Sequence, residues 1–250
     1  MTAQAILRFP TLDEILESGH LRPLFQPIVR LVDPARPFGF EALTRYRTDN
    51  PLIDPEFLFL YAGRKDRVCD LDNACLRRSL EHGGNLARSN HLFINIHPAM
   101  LLDVSRWIGA LEQAAAGGGL PLDRVVLEVT EQGALDIPRL GMSAFDRLRA
   151  LGLRFALDDV GVAYSHLASI DRIGPSFIKI GQHFGTDFER DASRLKIVRN
   201  ILSLATDLGC EVVLEGIETA ETLDAARQLG IELGQGYFFA HPGEASSFAA

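Results

Sequence analysis

Cysteine is scarce in this 250-residue sequence: Cys69, Cys75 and Cys210 form neither an even disulfide framework nor a CxxC pair. That argues against a disulfide-stapled scaffold and fits a reducing compartment, with the three thiols packed as small apolar groups. An excess of basic residues is also lacking. With 25 Lys and Arg against 33 Asp and Glu, the net charge of −8 and the pI near 5.4 argue against binding bulk nucleic acid through its phosphates. No stretch approaches the ~20 apolar residues that cross a bilayer. The opening MTAQAILRFP has no basic segment followed by a signal-length apolar core, so a soluble cytoplasmic protein without membrane contact is expected. Proline-rich and low-complexity linkers are missing too. Nothing divides the chain, and residues 1–250 are read as one domain.

What is present is a regular alternation of short apolar runs with longer helical patterns, the mark of βα units. Eight runs read as strands: LFQPIVRL from Leu24, FGFEAL from Phe38, HLFINI from His91, VVLEVT from Val125, RFALDD from Arg154, FIKI from Phe177, EVVLEG from Glu211 and QGYFFA from Gln235. Their continuous apolar character suits strands covered on both faces. Between them, Asp54-Pro55-Glu56 reads as a helix start, and helical patterns stop near Gly83, Gly152, Gly209 and Gly230, each glycine suiting a left-handed helix end. AAAGGG at 114–119 reads as a helix running out into a loop. The first two strands are separated only by VDPARP, too short for a helical crossover, so that pair is expected to be antiparallel. The fold class is therefore α/β: a (β/α)₈ barrel modified by one antiparallel strand near the N-terminus.

In such a barrel the C-terminal ends of the strands build the active site, so polar residues there are the ones to weigh. Glu41, Asn95, Glu128, the adjacent Asp158 and Asp159, Lys179, Glu215 and Gln235 all fall in that phase, at least one from each strand after the first. One glutamate in a strand is usually solvated or paired with arginine; a set recurring in the same phase points to a shared mouth. Five carboxylates and one lysine would leave four negative charges, and each unpaired charge away from water costs several kcal/mol. Two divalent cations cancel that sum, and carboxylates with one amide suit Mg²⁺ or Mn²⁺. Adjacent strand residues face opposite sides, so Asp158 and Asp159 can serve one site only where the strand breaks into its loop. Paired cations are a recurring device for phosphodiester cleavage. A one-metal lyase or isomerase on the same fold is the alternative at this level. His97 and His166 lie near the expected mouth, but isolated histidines are more often packed than catalytic.

Motifs along almost the whole chain resemble the EAL-domain family of cyclic-di-GMP phosphodiesterases: FQPIV at 25–29, EALTR at 41–45, FINIHP at 93–98, EVTE at 128–131, LEGIET at 214–219 and GQGYFFAHP at 234–242. The resemblance implies hydrolysis of cyclic di-GMP to linear pGpG. By it, Glu41, Asn95, Glu128 and Asp158 hold one cation, while Asp158, Asp159 and Glu215 serve the second, with Glu215 also a general base through water. Lys179 orients water or phosphate, and Gln26, Leu43 and Arg45 touch the nucleotide. Gln235 supports the water network, and Glu131 and Glu218 support a neighbouring loop. A homodimer, and sensor or regulatory domains outside these 250 residues, also accord with the family. This sequence departs from the family in one region: Val160 to His166 reads VGVAYSH where FGTGYSS is typical, and Ser176 and Gly181 replace two aspartates flanking the lysine. A non-hydrolytic cyclic-di-GMP receptor is the alternative these departures raise.

Overall fold

The computed structural model describes residues 10–17, 19–47, 54–86, 88–130, 133, 142–160, 170 and 173–248. Helix α1 (Leu12–Glu17) precedes a hairpin of β1 (Leu21–Arg30) and β2 (Asp33–Tyr46), followed by α2 (Pro55–Gly63) and α3 (Val68–Gly83). Next come β3 (His91–Asn95), a 3-10 turn at Pro98–Leu102, α4 (Ile108–Gly118), β4 (Val125–Thr130), α5 (Met142–Ala150) and β5 (Arg154–Val160). The chain ends with β6 (Phe177–Ile180), a short α6 (Gln182–Gly185), α7 (Ala192–Leu208), β7 (Glu211–Leu214), α8 (Ala220–Gln228) and β8 (Leu233–Gly234). The strands close into a barrel in sequence order. β1 runs antiparallel to both neighbours, β2 and β8, while the remaining pairs are parallel. The expected antiparallel pair is present, but VDPARP is not the connection: β2 already begins at Asp33, so only Leu31 and Val32 join the two strands.

Local chemistry accounts for the element ends. Asp54 caps α2 by accepting the Phe57 N–H at 2.7 Å, with Pro55 in the first turn where its missing N–H costs nothing. At the far end of α7, Gly209 takes the left-handed conformation (φ 68°), and Gly152 and Gly230 do likewise after α5 and α8. Gly83 differs from expectation. It is the last residue of α3, and a Cβ there would come within 2.9 Å of Leu92 and 3.0 Å of Phe25, so packing against the barrel wall requires it.

Two apolar layers flank the barrel wall. Ile28, Phe93, Val126, Ala156, Phe177, Val213 and Leu233 pack together inside it, while a larger core including Phe40, Leu80, Leu127, Phe145, Phe155 and Ile178 lies between strands and helices. Side chains alternate along a strand, so the residues two positions nearer the mouth from the inner layer also point inward. These are Gln26, Asn95, Glu128, Asp158, Lys179, Glu215 and Gln235, and Glu41 pairs directly with Gln26 and Phe93 in register. The sequence rhythm thus stacks a polar tier on an apolar floor.

The last strand is a correction. QGYFFA is not strand: β8 is only Leu233–Gly234, and Gln235 to Ala240 turns away, with Phe239 and Ala240 N–H both donating to the Gly236 carbonyl. Gly236 lies against the Ile217 backbone so closely that a Cβ would come within 2.1 Å of the Ile217 oxygen, and this contact bends the chain. Among the described residues no helix is long and apolar enough to cross a membrane.

Candidate active site

Lys179 stands at the centre of the polar tier. It is completely buried, and its Nζ lies 2.8 Å from Glu215, 3.0 Å from Glu128, 3.3 Å from Glu41 and 3.4 Å from Asp158. The replacement of the flanking aspartates by Ser176 and Gly181 leaves this lysine held on four sides. Burial alone would lower its pKa, but the four carboxylates outweigh that and hold the ammonium well above the usual lysine value.

Glu41 is the best satisfied of the acids. Asn95 Nδ2 donates to its Oε1 at 3.1 Å and Gln235 Nε2 to its Oε2 at 2.7 Å. Burial acts to raise its pKa, but the Lys179 charge and these two donors bring it below the ordinary value. Glu128 is fully buried, and burial, reinforced by Glu41 and Asp158, pushes its pKa well up against the pull of Lys179. Asp158 is raised by burial and by Glu41 and Asp159, again against Lys179, and burial with Asp158 and Glu41 raises Glu215 to about 7.

Asp158 and Asp159 reach the same cleft by an unexpected route. The strand does not end at them but continues to Val160, and its register with β6 slips between Leu157 and Val160. At the slip Asp159 adopts φ 55°, the left-handed region, which breaks the in-and-out alternation. One oxygen from each of Asp158, Asp159 and Glu215 consequently lies within 4.8 Å of the others. Gly181 makes room for this, because a Cβ there would stand 2.6 Å from Asp159 Oδ1.

These groups open into a cleft of about 280 Å³ lined also by Gln26, Leu43, Arg45 and Glu218. Arg45 is exposed, and among the described residues no carboxylate pairs with it. Gln26 is tied down, accepting from Gln235 Nε2 at 2.9 Å and donating to the Ala240 carbonyl at 3.0 Å. Sequence reasoning missed five further lining residues, Gly216, Gly236 and Pro242 together with the polar Gln182 and Tyr237. Gln182 follows the mouth end of β6 and was legible by the same rule; Tyr237 was hidden inside the supposed last strand. His97 is no site residue: its Nδ1 accepts from the Ala99 N–H at 3.2 Å and its ring stacks on Phe59. Glu131, His166 and the rest of the 161–166 segment lie outside the described residues.

The donor set fits hard divalent cations. Among the described residues, Glu128 Oε2 and Gln235 Oε1 are buried acceptors with neither a hydrogen bond nor a cation partner, and four carboxylates share one ammonium while Asp159 adds a fifth beside Asp158 and Glu215. Oxygen ligands in such excess suit Mg²⁺, Mn²⁺ or Ca²⁺ rather than a soft metal.

The sequence model of the EAL domain matches residues 11–242. The chain belongs to the EAL-domain family. The cyclic di-GMP phosphodiesterase NbdA of Pseudomonas aeruginosa is 31% identical to this EAL domain over 241 residues, 92% of this chain and 30% of that protein. The chain spans well under two thirds of the length of such curated relatives. Among solved structures, the EAL enzyme Bd1971 shares the fold, with a TM-score of 0.85 at 24% identity over 95% of this chain and 66% of its own. A manganese and cyclic di-GMP complex of Klebsiella pneumoniae BlrP1 is 29% identical, with a TM-score of 0.81 over 92% of this EAL domain and 58% of its own chain.

Proposed function

We propose that this EAL domain hydrolyses one phosphodiester bond of cyclic di-GMP to give linear pGpG, using two divalent cations, Mg²⁺ or Mn²⁺. The observation that carries the reading is the buried Lys179 ringed by four carboxylates beside the Asp158–Asp159–Glu215 cluster, at the mouth of a barrel whose relatives include cyclic di-GMP phosphodiesterases. Glu41, Asn95, Glu128 and Asp158 would hold one cation, and Asp158, Asp159 and Glu215 the second. When bound, the cations supply charge neutralisation at the phosphate and an activated water.

The chain's own residues do the rest. Lys179 keeps its proton in the neutral range and directs it at the phosphate or the attacking water; Glu215, at the cleft mouth, accepts the proton that the water gives up. Exposed Arg45, with no carboxylate partner among the described residues, meets the phosphate, and Gln26 and Leu43 wall the nucleotide, with Gln26 fixed by Gln235 and Ala240. Glu218, which accepts from Gln182 at 3.4 Å, supports the rim, and Glu131 is assigned the same role. A cytoplasmic location, a homodimer and regulatory domains outside the 250 residues belong to the same reading.

The test is product chromatography after incubating purified protein with cyclic di-GMP and Mg²⁺ or Mn²⁺, beside Glu41→Ala. pGpG in the wild type alone supports hydrolysis. Tight nucleotide binding without pGpG above the Glu41→Ala control rejects the enzyme in favour of a receptor.

A further inference from the structure

Asp72 is a buried acid that the reaction does not use. It lies in the second turn of α3, only 2% exposed, and among the described residues no lysine or arginine pairs with it. Burial pushes its carboxyl up to about 7, opposed only by the hydrogen bond it receives from the His97 backbone. A buried acid without a cation partner is costly, so the contact it makes needs a reason other than fold stability.

Its contact suggests the reason. Asp72 Oδ2 accepts the His97 N–H at 2.7 Å, across 25 residues of sequence. Asn95, two residues before His97, donates to Glu41 at 3.1 Å, and Ile96 between them donates its N–H to the Glu128 carbonyl at 3.0 Å. The three consecutive residues leaving β3 are therefore tied in turn to β2, β4 and α3. Beyond them Pro98 offers no N–H, so the His97 bond is the last backbone tether before the chain turns into the 3-10 segment. A short bond to a carboxylate is the strongest single acceptor available for that N–H.

We propose that Asp72 is a positioning residue for the cation site: through the His97 N–H it fixes the exit of β3 so that the Asn95 carboxamide meets Glu41. The inference rests on the reading that Asn95 and Glu41 hold a cation. It is tested by Mn²⁺ titration calorimetry on the wild type, Asp72→Ala, Asp72→Asn and Asn95→Ala, with the double variant Asp72→Ala/Asn95→Ala and thermal melts as a separate measure of folding. Loss of an outer support of this kind weakens metal binding about 10–100-fold. Asp72→Ala is expected to lose affinity in that range, while Asp72→Asn, whose carboxamide oxygen can accept the same N–H, stays within about threefold. In the Asn95→Ala background, Asp72→Ala should cause no further loss, which a general loosening of the barrel would not reproduce.

Wild-type Mn²⁺ affinity retained in Asp72→Ala overturns the inference, as do an Asp72→Asn variant as weak as Asp72→Ala and an additive loss in the double variant. A wild type that binds no Mn²⁺ overturns the cation reading and this inference with it. If Asp72→Ala does not fold, Asp72→Ser, which falls short of His97, takes its place in the same comparisons.

Discussion

Replacing Lys179 by methionine keeps the volume of the stem and removes the ammonium that Glu41, Glu128, Asp158 and Glu215 approach at 2.8–3.4 Å. Deleting one partner of a buried ion pair costs about 3–5 kcal/mol, because the charge left behind is unpaired. For a domain of this size that corresponds to a fall in Tm of roughly 6–20 °C. The sign of the pH dependence follows from the shifts. Lys179 has a raised pKa, so its contribution is present throughout the neutral range and is lost only as pH climbs beyond the usual lysine value. Glu128, Asp158 and Glu215 are raised acids, which favour the folded state while protonated and oppose it as pH rises; for Glu215 the window runs from the ordinary 4.5 to about 7. Without the ammonium these acids hold protons to still higher pH. Lys179→Met in EDTA is therefore expected to lose the full amount at pH 8 and clearly less at pH 5, and Mg²⁺ or Mn²⁺ at pH 8 should recover part of it through preferential binding to the folded state. Urea denaturation at the two pH values reads this directly. An equal loss at both would mean that packing, not charge, is what methionine disturbs, and no loss at pH 8 would refute the ion-pair account.

Asp72→Asn should be stabilised relative to wild type increasingly as pH rises from about 4 to 7, with a ceiling of about 4 kcal/mol from roughly three pKa units at about 1.4 kcal/mol each; denaturation curves whose separation does not change with pH would refute the buried charge. Gly236→Ala drives a methyl into the Ile217 backbone and should cost about 1–3 kcal/mol while also loosening Gln235 from Glu41, measured as lower stability together with weaker ion binding. Arg45→Ala, at an exposed position without a carboxylate partner among the described residues, should weaken cyclic di-GMP binding about 10–100-fold, the value of a hydrogen bond to a charged group, and shift stability by less than about 0.5 kcal/mol; equal nucleotide affinity in fluorescence titration would remove Arg45 from the site.

The barrel and most of its polar tier were legible because both depend on local rhythm. Strands announce themselves by apolar runs, and Glu128, Asp158, Lys179 and Glu215 each stand two residues beyond an inner-layer Val126, Ala156, Phe177 or Val213, a spacing that sequence alone exposes. What was not legible depends on distant contacts. QGYFFA has the aromatic content of a strand, but Gly236 meets Ile217 from a different βα unit and the chain turns. Asp72 sits where a helix pattern admits a solvated acid, and only the packing of α3 against the barrel shows it buried. The Asp158–Asp159 break was anticipated at the strand end, whereas it is a slip inside the strand, which depends on the register with β6.

That slip makes the site sensitive to chain length. Consecutive Cα atoms are about 3.8 Å apart whatever the rest of the fold does. With Asp159 turned to the same side as Asp158, the two carboxylates are held together by a single peptide unit, not by the packing of helices on strands. Helices around the barrel can shift and loops can lengthen without parting them. One residue inserted between the two aspartates would roughly double their separation along the chain, so this is the point where length, more than residue type, is constrained.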